Sequence, residues 1–398
     1  GGIATLHHLG NPDYIELEKE LNALSPAIAL VLPCHARDLD SPVLAAILEE
    51  LIQTRFIRHV IVGLDGADET QYHFARSLFQ NLPQETAILW NDGPRMSAII
   101  TQLNDAGMDP GARGKGRNMR LCFGYALSAT DAPFVAVHDC DIVNYRREML
   151  ARLCFPVAHP EMAFEVSKGF SARFSDRLNG RVMRLLISPL LRAMEDWDGF
   201  PSTLGSLQNF RYPISGEVCL HRRVVREIRF PSDWGVETGM MSDVFRLCAP
   251  HRVCQVDIAE TYDHKHQDLS EKDPLGGLNK MACDVTLCLL RTISAGSTIP
   301  VSIDAKKLVP NYLRVAREMM RFYAADARIN LLQYDYALED QTATMFASAI
   351  DRAISIFSNT PYQPPGAPGW SEIEDRLSGT ASAIAEAVRL DADQADRV

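Results

Sequence analysis

The chain has 398 residues, 46% of them hydrophobic and 23% charged, with a formal net charge of −11. These proportions exclude fibrous and disordered classes and leave room for one large α/β domain with an appendage, or for two domains. The acidic balance argues against a nucleic-acid partner, because no basic stripe is present to meet a phosphate backbone; a local basic pocket around Arg113 to Arg120 remains available for one phosphorylated metabolite.

Residues 11–24 carry a short helical pattern, and Ile28 to Pro33 reads as a first buried strand. A helix over Ser41 to Thr54, a second strand over His59 to Leu64 ending at Asp65-Gly66, and a helix over Glu69 to Gln80 follow. Strand alternating with helix predicts a parallel sheet. Thr86 to Trp90 is a weaker third strand, Met96 to Asn104 a helix, and Pro110 to Asn118 a glycine-rich basic loop leading into a helix over Met119 to Ala129. Beyond residue 145 the alternation stops. Helix is expected over Arg146 to Phe155 and over Gly180 to Met194, the latter interrupted by Pro189; strand is expected over Ala163 to Phe170, Gly216 to His221 and Val253 to Ile258. Residues 198–213 read as a loop, and Glu237 to Leu247 as a helix. Helices then run through Lys280 to Ile293, Pro310 to Ala325 and Asp340 to Phe357, and a Pro/Gly segment from Thr360 to Gly369 precedes a last helix from Ser371 to about Asp391. Nine cysteines, an odd number with no Cys-x-x-Cys, several of them in apolar runs, fit reduced thiols in a cytoplasmic protein. Ala27 to Leu32 is far too short to cross a bilayer, so no membrane partner is expected.

The chemistry centres on Phe134 to Val143. The apolar run Phe134 to Val137 ends in His138-Asp139-Cys140-Asp141 and reads as a buried strand delivering two carboxylates at its exit. Spacing of i and i+2 in an extended chain puts both on one face, about 7 Å apart. Hard carboxylate oxygens suit Mg2+ or Mn2+, which hold and neutralise a diphosphate leaving group. Since an isolated Asp-x-Asp is more often a solvated loop, the case rests on its surroundings. Ligands of open α/β sheets collect at the carboxyl ends of strands, so Pro33, Asp65, the 111–118 loop and Asp139/Asp141 are expected to converge. Gly114-Lys115-Gly116, between Arg113 and Arg117, precedes a helix and suits a phosphate, although it lacks the Walker and Rossmann spacings. Ser215-Gly216-Glu217 and Trp234-Gly235-Val236-Glu237-Thr238-Gly239 add acids beside glycines. Asp263-His264-Lys265-His266 supplies candidate late metal ligands after a strand.

In this order the pieces resemble the retaining GT-A glycosyltransferases that make glucosyl-3-phosphoglycerate, with a related pattern in mannosylglycerate synthases. The likeness covers roughly Ala27 to Thr292. It implies a Rossmann-like mixed sheet of the GT-A fold, with a nucleotide-sugar half over residues 27–145 and an acceptor half over 146–292. A helical segment, 1–26, precedes them and a helical extension, 293–398, follows; its part beyond about Asn330 lies outside the resemblance, and an intersubunit or lid role is the expectation there. The resemblance implies a cytoplasmic homodimer that moves a hexose, glucose in the family, from a UDP- or GDP-sugar to the 2-hydroxyl of 3-phosphoglycerate, with configuration retained, aided by Mg2+ or Mn2+. It assigns Pro33, Asp65, Lys115, Asp139 and Glu217 to the donor, with Asp38 as the substitute in base recognition, and Arg181, Gly216, Thr238 and His266 to the acceptor. Asp141, His264 and Asp139 become metal ligands, and Glu237, Lys115 and Asp141 the catalytic set.

Three departures bear on specificity. Met183 stands where the family has Thr, His266 where it has Asn, and Ala36-Arg37-Asp38 where it has Asn-Glu-Glu. D-Glycerate or another small hydroxy acid therefore stays open as acceptor, and mannose as the sugar. Glu237 is the carboxylate on which a double displacement would rest, whereas the family implies same-face attack. Two further classes fit the sequence less well: a phosphohydrolase, disfavoured because Asp-x-Asp-x-Thr at a first strand is missing, and a non-catalytic nucleotide-sugar binding module, disfavoured by retention of Asp141 and His264.

Overall fold

The computed structural model describes residues 2–10, 13–25, 27–195, 202–262, 276–296 and 303–397. The first half alternates as the apolar pattern requires: β1 (Ala4–Leu6), α1 (Tyr14–Leu24), β2 (Ile28–His35), α2 (Pro42–Ile52), β3 (Ile57–Asp65), α3 (Glu69–Phe79), β4 (Glu85–Trp90), α4 (Pro94–Asp105), α5 (Lys115–Ala129) and β5 (Phe134–Val137). Local chemistry sets the helix starts. Ser41 accepts from the Val43 amide with Pro42 at the first helical position, and Asp68 and Gln71 form a reciprocal capping box.

The second half holds α6 (Arg147–Ala158), β6 (Val166–Ser171), a π-helical turn over Val182–Ile187 running into α7 (Ser188–Met194), α8 (Ser202–Leu207), β7 (Val218–His221), α9 (Arg222–Glu227), α10 (Val236–Leu247) and β8 (Val253–Ala259). The wide turn stands directly before Pro189, which has no N–H to give to the preceding turn, so the predicted interruption is a widening rather than a break. Five helices complete the described chain: α11 (Gly277–Ala295), α12 (Ala305–Ile329), α13 (Tyr336–Asn359), α14 (Trp370–Arg376) and α15 (Thr380–Ala395).

The eight strands form one sheet in the order β1-β8-β6-β7-β5-β2-β3-β4. Seven run the same way; β7 alone is antiparallel to its neighbours β5 and β6. The wholly parallel sheet read from strand–helix alternation is thereby corrected to the mixed sheet that the resemblance implied. The reversal has a use. The strands that run together end at one edge of the sheet, and β7 begins at that edge, so the Ser215-Gly216-Glu217 turn before β7 meets the residues that follow β5. Both faces are covered, which is why the central strands are apolar without alternation. Ile28, Leu30 and Leu32 face one apolar cluster with α2, α3 and α6; Ala29 and Val31 face the other, with α5, α10 and the later helices.

The helices after residue 305 share that second cluster. Trp370 packs against Gly124 of α5, where an added Cβ would come within 2.2 Å of the indole, and its Nε1 donates to the Arg120 carbonyl at 2.9 Å. Arg120 is buried, donates to the Phe230 carbonyl at 2.6 Å and to that of Pro368, and lies 4.6 Å over the Phe230 ring.

Sequence reading and structure differ in further places, among them α9, a helix that follows β7 where none was expected. β1 is three half-buried residues paired with β8, too short to show a period. α5 begins four residues early, at Lys115. A six-residue helix, α8, lies in the expected loop 198–213, where Ser and Gly masked the buried Leu204 and Leu207. The last helix is two, broken at Gly379, whose φ of +88° lies in the left-handed region.

Candidate active site

The expected convergence at the sheet edge is observed as a cleft of 930 Å³. Pro33, Asp38, Asp65, Lys115, Asp139, Asp141, Arg181, Gly216 and Glu237 line it. Pro33 comes from β2, Asp65 from the end of β3, and Asp139 and Asp141 follow β5. Glu217 and Thr238 are buried behind the wall, each 1% exposed. His264 and His266 lie outside the described residues.

At the end of β3, Asp65 accepts from Asn91 Nδ2 at 2.8 Å, and burial pushes its carboxyl up. The Asp92 carboxylate accepts from the Gly66 amide at 2.5 Å and from the Ala67 amide at 3.3 Å and is ion-paired with Arg113, which ties the basic loop to the end of β3. The glycines of Gly114-Lys115-Gly116 serve close packing. A Cβ on Gly114 would lie 2.7 Å from the Ser232 carbonyl, and one on Gly116 2.1 Å from that of Pro231. The Gly116 amide, expected to be available to phosphate, donates to the Ser232 carbonyl at 3.1 Å.

That packing brings the first turns of α5 and α10 together. Lys115 Nζ lies 2.5 Å from Asp139 Oδ1 and 2.7 Å from Glu237 Oε1. Burial disfavours the ammonium, but the two carboxylates outweigh it and hold Lys115 protonated, above the usual lysine range. Asp141 is pushed up to about 6, first by burial and then by the charge of Asp139. Two carboxylates crowded this way, with one raised despite the Lys115 charge, make an oxygen donor set that fits a hard divalent cation. Among the described residues no group of three or more His, Cys, Asp or Glu side chains is arranged to hold a metal ion, so Asp139 and Asp141 are the part of such a site that the structure describes.

The back wall is a polar network that sequence reading missed. Tyr262 Oη donates to Glu217 Oε1 at 2.5 Å, and Arg173 approaches Glu217 Oε2 to 3.9 Å. The Arg173 guanidinium stacks between the rings of Tyr212 and Tyr262, 4.1 Å from each centroid. Lys168 of β6, buried, donates to the carbonyls of Ser215 and, at 3.4 Å, Glu217; burial pushes its amine down to about 8. Ser215 Oγ donates to the Gly169 carbonyl at 2.6 Å, so the turn carrying Gly216 is fixed to β6 at three points. The available signal was a single lysine inside the strand expected over Ala163 to Phe170. His138 is also buried, its two ring nitrogens without hydrogen-bond partners, and burial pushes it down to about 4. Its imidazole packs edge-on to Tyr145 at 5.5 Å.

After β6, Arg173 and Arg181 line the cleft. Gly180 takes a φ of +73°, and a Cβ there would lie 2.9 Å from Tyr212 Oη. Met183 does not line the cleft; it packs against the apolar core.

No family model matches the chain. It is 36% identical over 393 residues to the glucosyl-3-phosphoglycerate synthase of Persephonella marina, covering 98% of this chain and 97% of that one. Among solved structures, the mannosyl-3-phosphoglycerate synthase of Rubrobacter xylanophilus superposes with a TM-score of 0.57 at 20% identity, covering 76% of this chain and 84% of the other. The glucosyl-3-phosphoglycerate synthase of Mycobacterium tuberculosis, in complex with Mn2+, UDP-glucose and phosphoglyceric acid, gives 0.53 at 20% identity, covering 75% and 89%.

Proposed function

The chain belongs to the glucosyl-3-phosphoglycerate synthase family, and we propose that its cleft transfers glucose from UDP-glucose to the 2-hydroxyl of 3-phosphoglycerate with retention of configuration. The observation that carries this reading is Lys115 held between Asp139 and Glu237 at the cleft wall. One ammonium there faces both the carboxylate that precedes Asp141 and the carboxylate nearest the acceptor side. The Mycobacterium tuberculosis enzyme, crystallised with Mn2+, UDP-glucose and phosphoglyceric acid, supports the choice of uridine, glucose and phosphoglycerate.

Residues 27–145 supply the donor wall, with Pro33, Asp38 and Asp65 beside the nucleoside. Asp141 and Asp139 are the described residues that would hold Mg2+ or Mn2+, and the metal's charge would offset that of the departing diphosphate. Lys115 donates to the leaving phosphate as negative charge grows there, and its two carboxylate partners fix its position before the reaction begins. Residues 146–292 supply the acceptor wall. Arg181 takes the acceptor phosphate through its planar fork, and Glu237 orients the attacking hydroxyl. Glu217, buried and hydrogen-bonded by Tyr262, acts behind the wall by keeping Arg173 in place. Because Met183 points into the core, the phosphate-binding wall does not depend on its side chain; this favours 3-phosphoglycerate over D-glycerate.

The test is a transfer assay with Mg2+ or Mn2+ that offers UDP-glucose, GDP-glucose and GDP-mannose against 3-phosphoglycerate and D-glycerate in parallel. Transfer from UDP-glucose to 3-phosphoglycerate is expected. Transfer to D-glycerate alone would remove the acceptor reading, and no transfer to either would remove the acceptor class. The same reading carries a homodimer acting in the cytoplasm; sedimentation of the purified chain checks the first.

A further inference from the structure

The carboxyl-terminal helices reach the cleft indirectly, through one arginine. Arg184 stands three residues after Arg181. Its Nε donates to the Asn179 carbonyl at 2.9 Å and its Nη2 to the Leu178 carbonyl at 3.0 Å. The same guanidinium forms a two-pronged pair with Glu339 of α13, Nη1 to Oε2 at 2.5 Å and Nη2 to Oε1 at 3.0 Å. The two side chains are 11% and 9% exposed, and the Tyr323 ring of α12 lies 5.1 Å from the guanidinium. A second tie comes from the turn between α12 and α13, where the Gln333 amide donates to the Asp176 carbonyl at 2.8 Å.

What these contacts hold is the loop 173–181, which folds back on itself through Asn179 N to Arg173 O and Ser175 N to Arg177 O, both 2.9 Å. Residues 174–177 of this loop are exposed. Gly180, whose φ of +73° other residues rarely adopt, links it to Arg181. The direction of Arg181 is therefore set by where the carbonyls of residues 178 and 179 are anchored. That anchor is Arg184, which Glu339 aligns by occupying the two guanidinium nitrogens on its far side. A fork-to-fork contact with a phosphate tolerates little misplacement.

We propose that Glu339 is a positioning residue for the acceptor subsite, acting through Arg184 on the 178–181 turn, so that α12 and α13 form the outer support of acceptor binding. This rests on the reading of Arg181 as the acceptor's phosphate ligand. Lys115, Asp65 and Asp141 are outside this chain of contacts, so donor binding is untouched by it.

The experiment measures KM for 3-phosphoglycerate and for UDP-glucose, with kcat, in Glu339→Gln, in the double variant Arg184→Met/Glu339→Met, and in Arg181→Ala. The double variant replaces a buried ion pair by apolar side chains of similar length, a change that commonly preserves folding, while still releasing the carbonyls of Leu178 and Asn179. The expected result is a rise of about tenfold or more in the acceptor KM of all three, with the donor KM and melting temperature of the double variant unchanged. If Arg181→Ala raises the acceptor KM and neither pair variant does, the proposal is overturned. A parallel rise of both KM values with a fall in melting temperature overturns it too, because that pattern marks a general loss of structure. An acceptor KM unmoved in Arg181→Ala overturns instead the acceptor reading beneath it.

Discussion

Gly216 lies opposite Asp139. Val137 pairs with Val218 across the antiparallel ladder, and two more steps along the register bring residues 139 and 216 together. A Cβ on Gly216 would stand 2.2 Å from Asp139 Oδ2. Gly216→Ala therefore has to displace the Asp139 carboxylate, and with it the clamp on Lys115. Turnover is expected to fall about a hundredfold, in line with a reacting group moved by about 1 Å, while circular dichroism stays that of the wild type. Wild-type turnover in this variant would show that the position of Asp139 does not matter.

Lys115→Met removes the ammonium between two carboxylates. On the proposed mechanism, kcat falls by roughly a hundred- to a thousandfold, the range seen when one preorganised donor to a developing charge is lost. Steady-state kinetics at saturating UDP-glucose is the readout. A change in KM alone would place Lys115 in ground-state binding instead.

Asp141 is the proposed anchor of the divalent cation. Asp141→Ala, and separately chelation of the wild-type protein, are expected to abolish transfer, and added Mn2+ to restore the second but not the first. An Asp141→Ala protein that still turned over would end the metal-assisted reading.

Lys168 makes stability depend on pH in a predictable direction. Its amine is pushed down to about 8 from 10.5 by burial, ahead of the opposing charges of Glu217 and Glu237. Between those values the unfolded chain holds a proton that the folded one has released, so this group's contribution to stability grows as pH rises from 8 to 10.5 and is flat below 8. Relative to Lys168→Met, the wild type should gain up to about 3 kcal/mol across that window. Urea unfolding of both proteins at pH 7.5 and pH 10 measures it, and a difference that does not change with pH would mean the folded lysine keeps its charge.

Trp370→Ala empties the site against Gly124 and removes the bond to the Arg120 carbonyl. The cost should be about 3–5 kcal/mol, the range for a buried tryptophan, seen as a lower melting temperature. Both KM values should hold at temperatures where the protein remains folded, in contrast with the acceptor-specific effect expected at Glu339.

Much of the cleft was legible because its residues sit at strand exits. A four-residue apolar run ending in two acids marks both a strand and its carboxyl end, so Asp139 and Asp141 were found with their place in the fold. Lys115 was found with the wrong local structure: Lys115 to Asn118 is polar and glycine-bearing, and the reason it forms a helical turn, contact with Pro231 and Ser232, is a tertiary one. Lys168 gave no period to read. The pairing of Arg184 with Glu339 spans 155 residues, and neither partner stands in a motif. Met183 could be read by position against the family pattern, but the side of the helix it faces came only with the fold.

The buried contact between Arg120 and Trp370 is 250 residues long in sequence. On a ribosome adding about 5–20 residues per second, the apolar face of α5 around Gly124 waits about 12–50 s for its cover to be made. During that interval α4 and α5 already cover this face of the sheet, but the outer side of α5 that Trp370 will cap stays bare, and exposed apolar surface of that kind is what chaperones bind and what aggregates. Synthesis, more than equilibrium stability, is thus the stage at which this architecture is most exposed. Slowing translation between α10 and α14 should lower the soluble yield while leaving the melting temperature of the purified protein untouched.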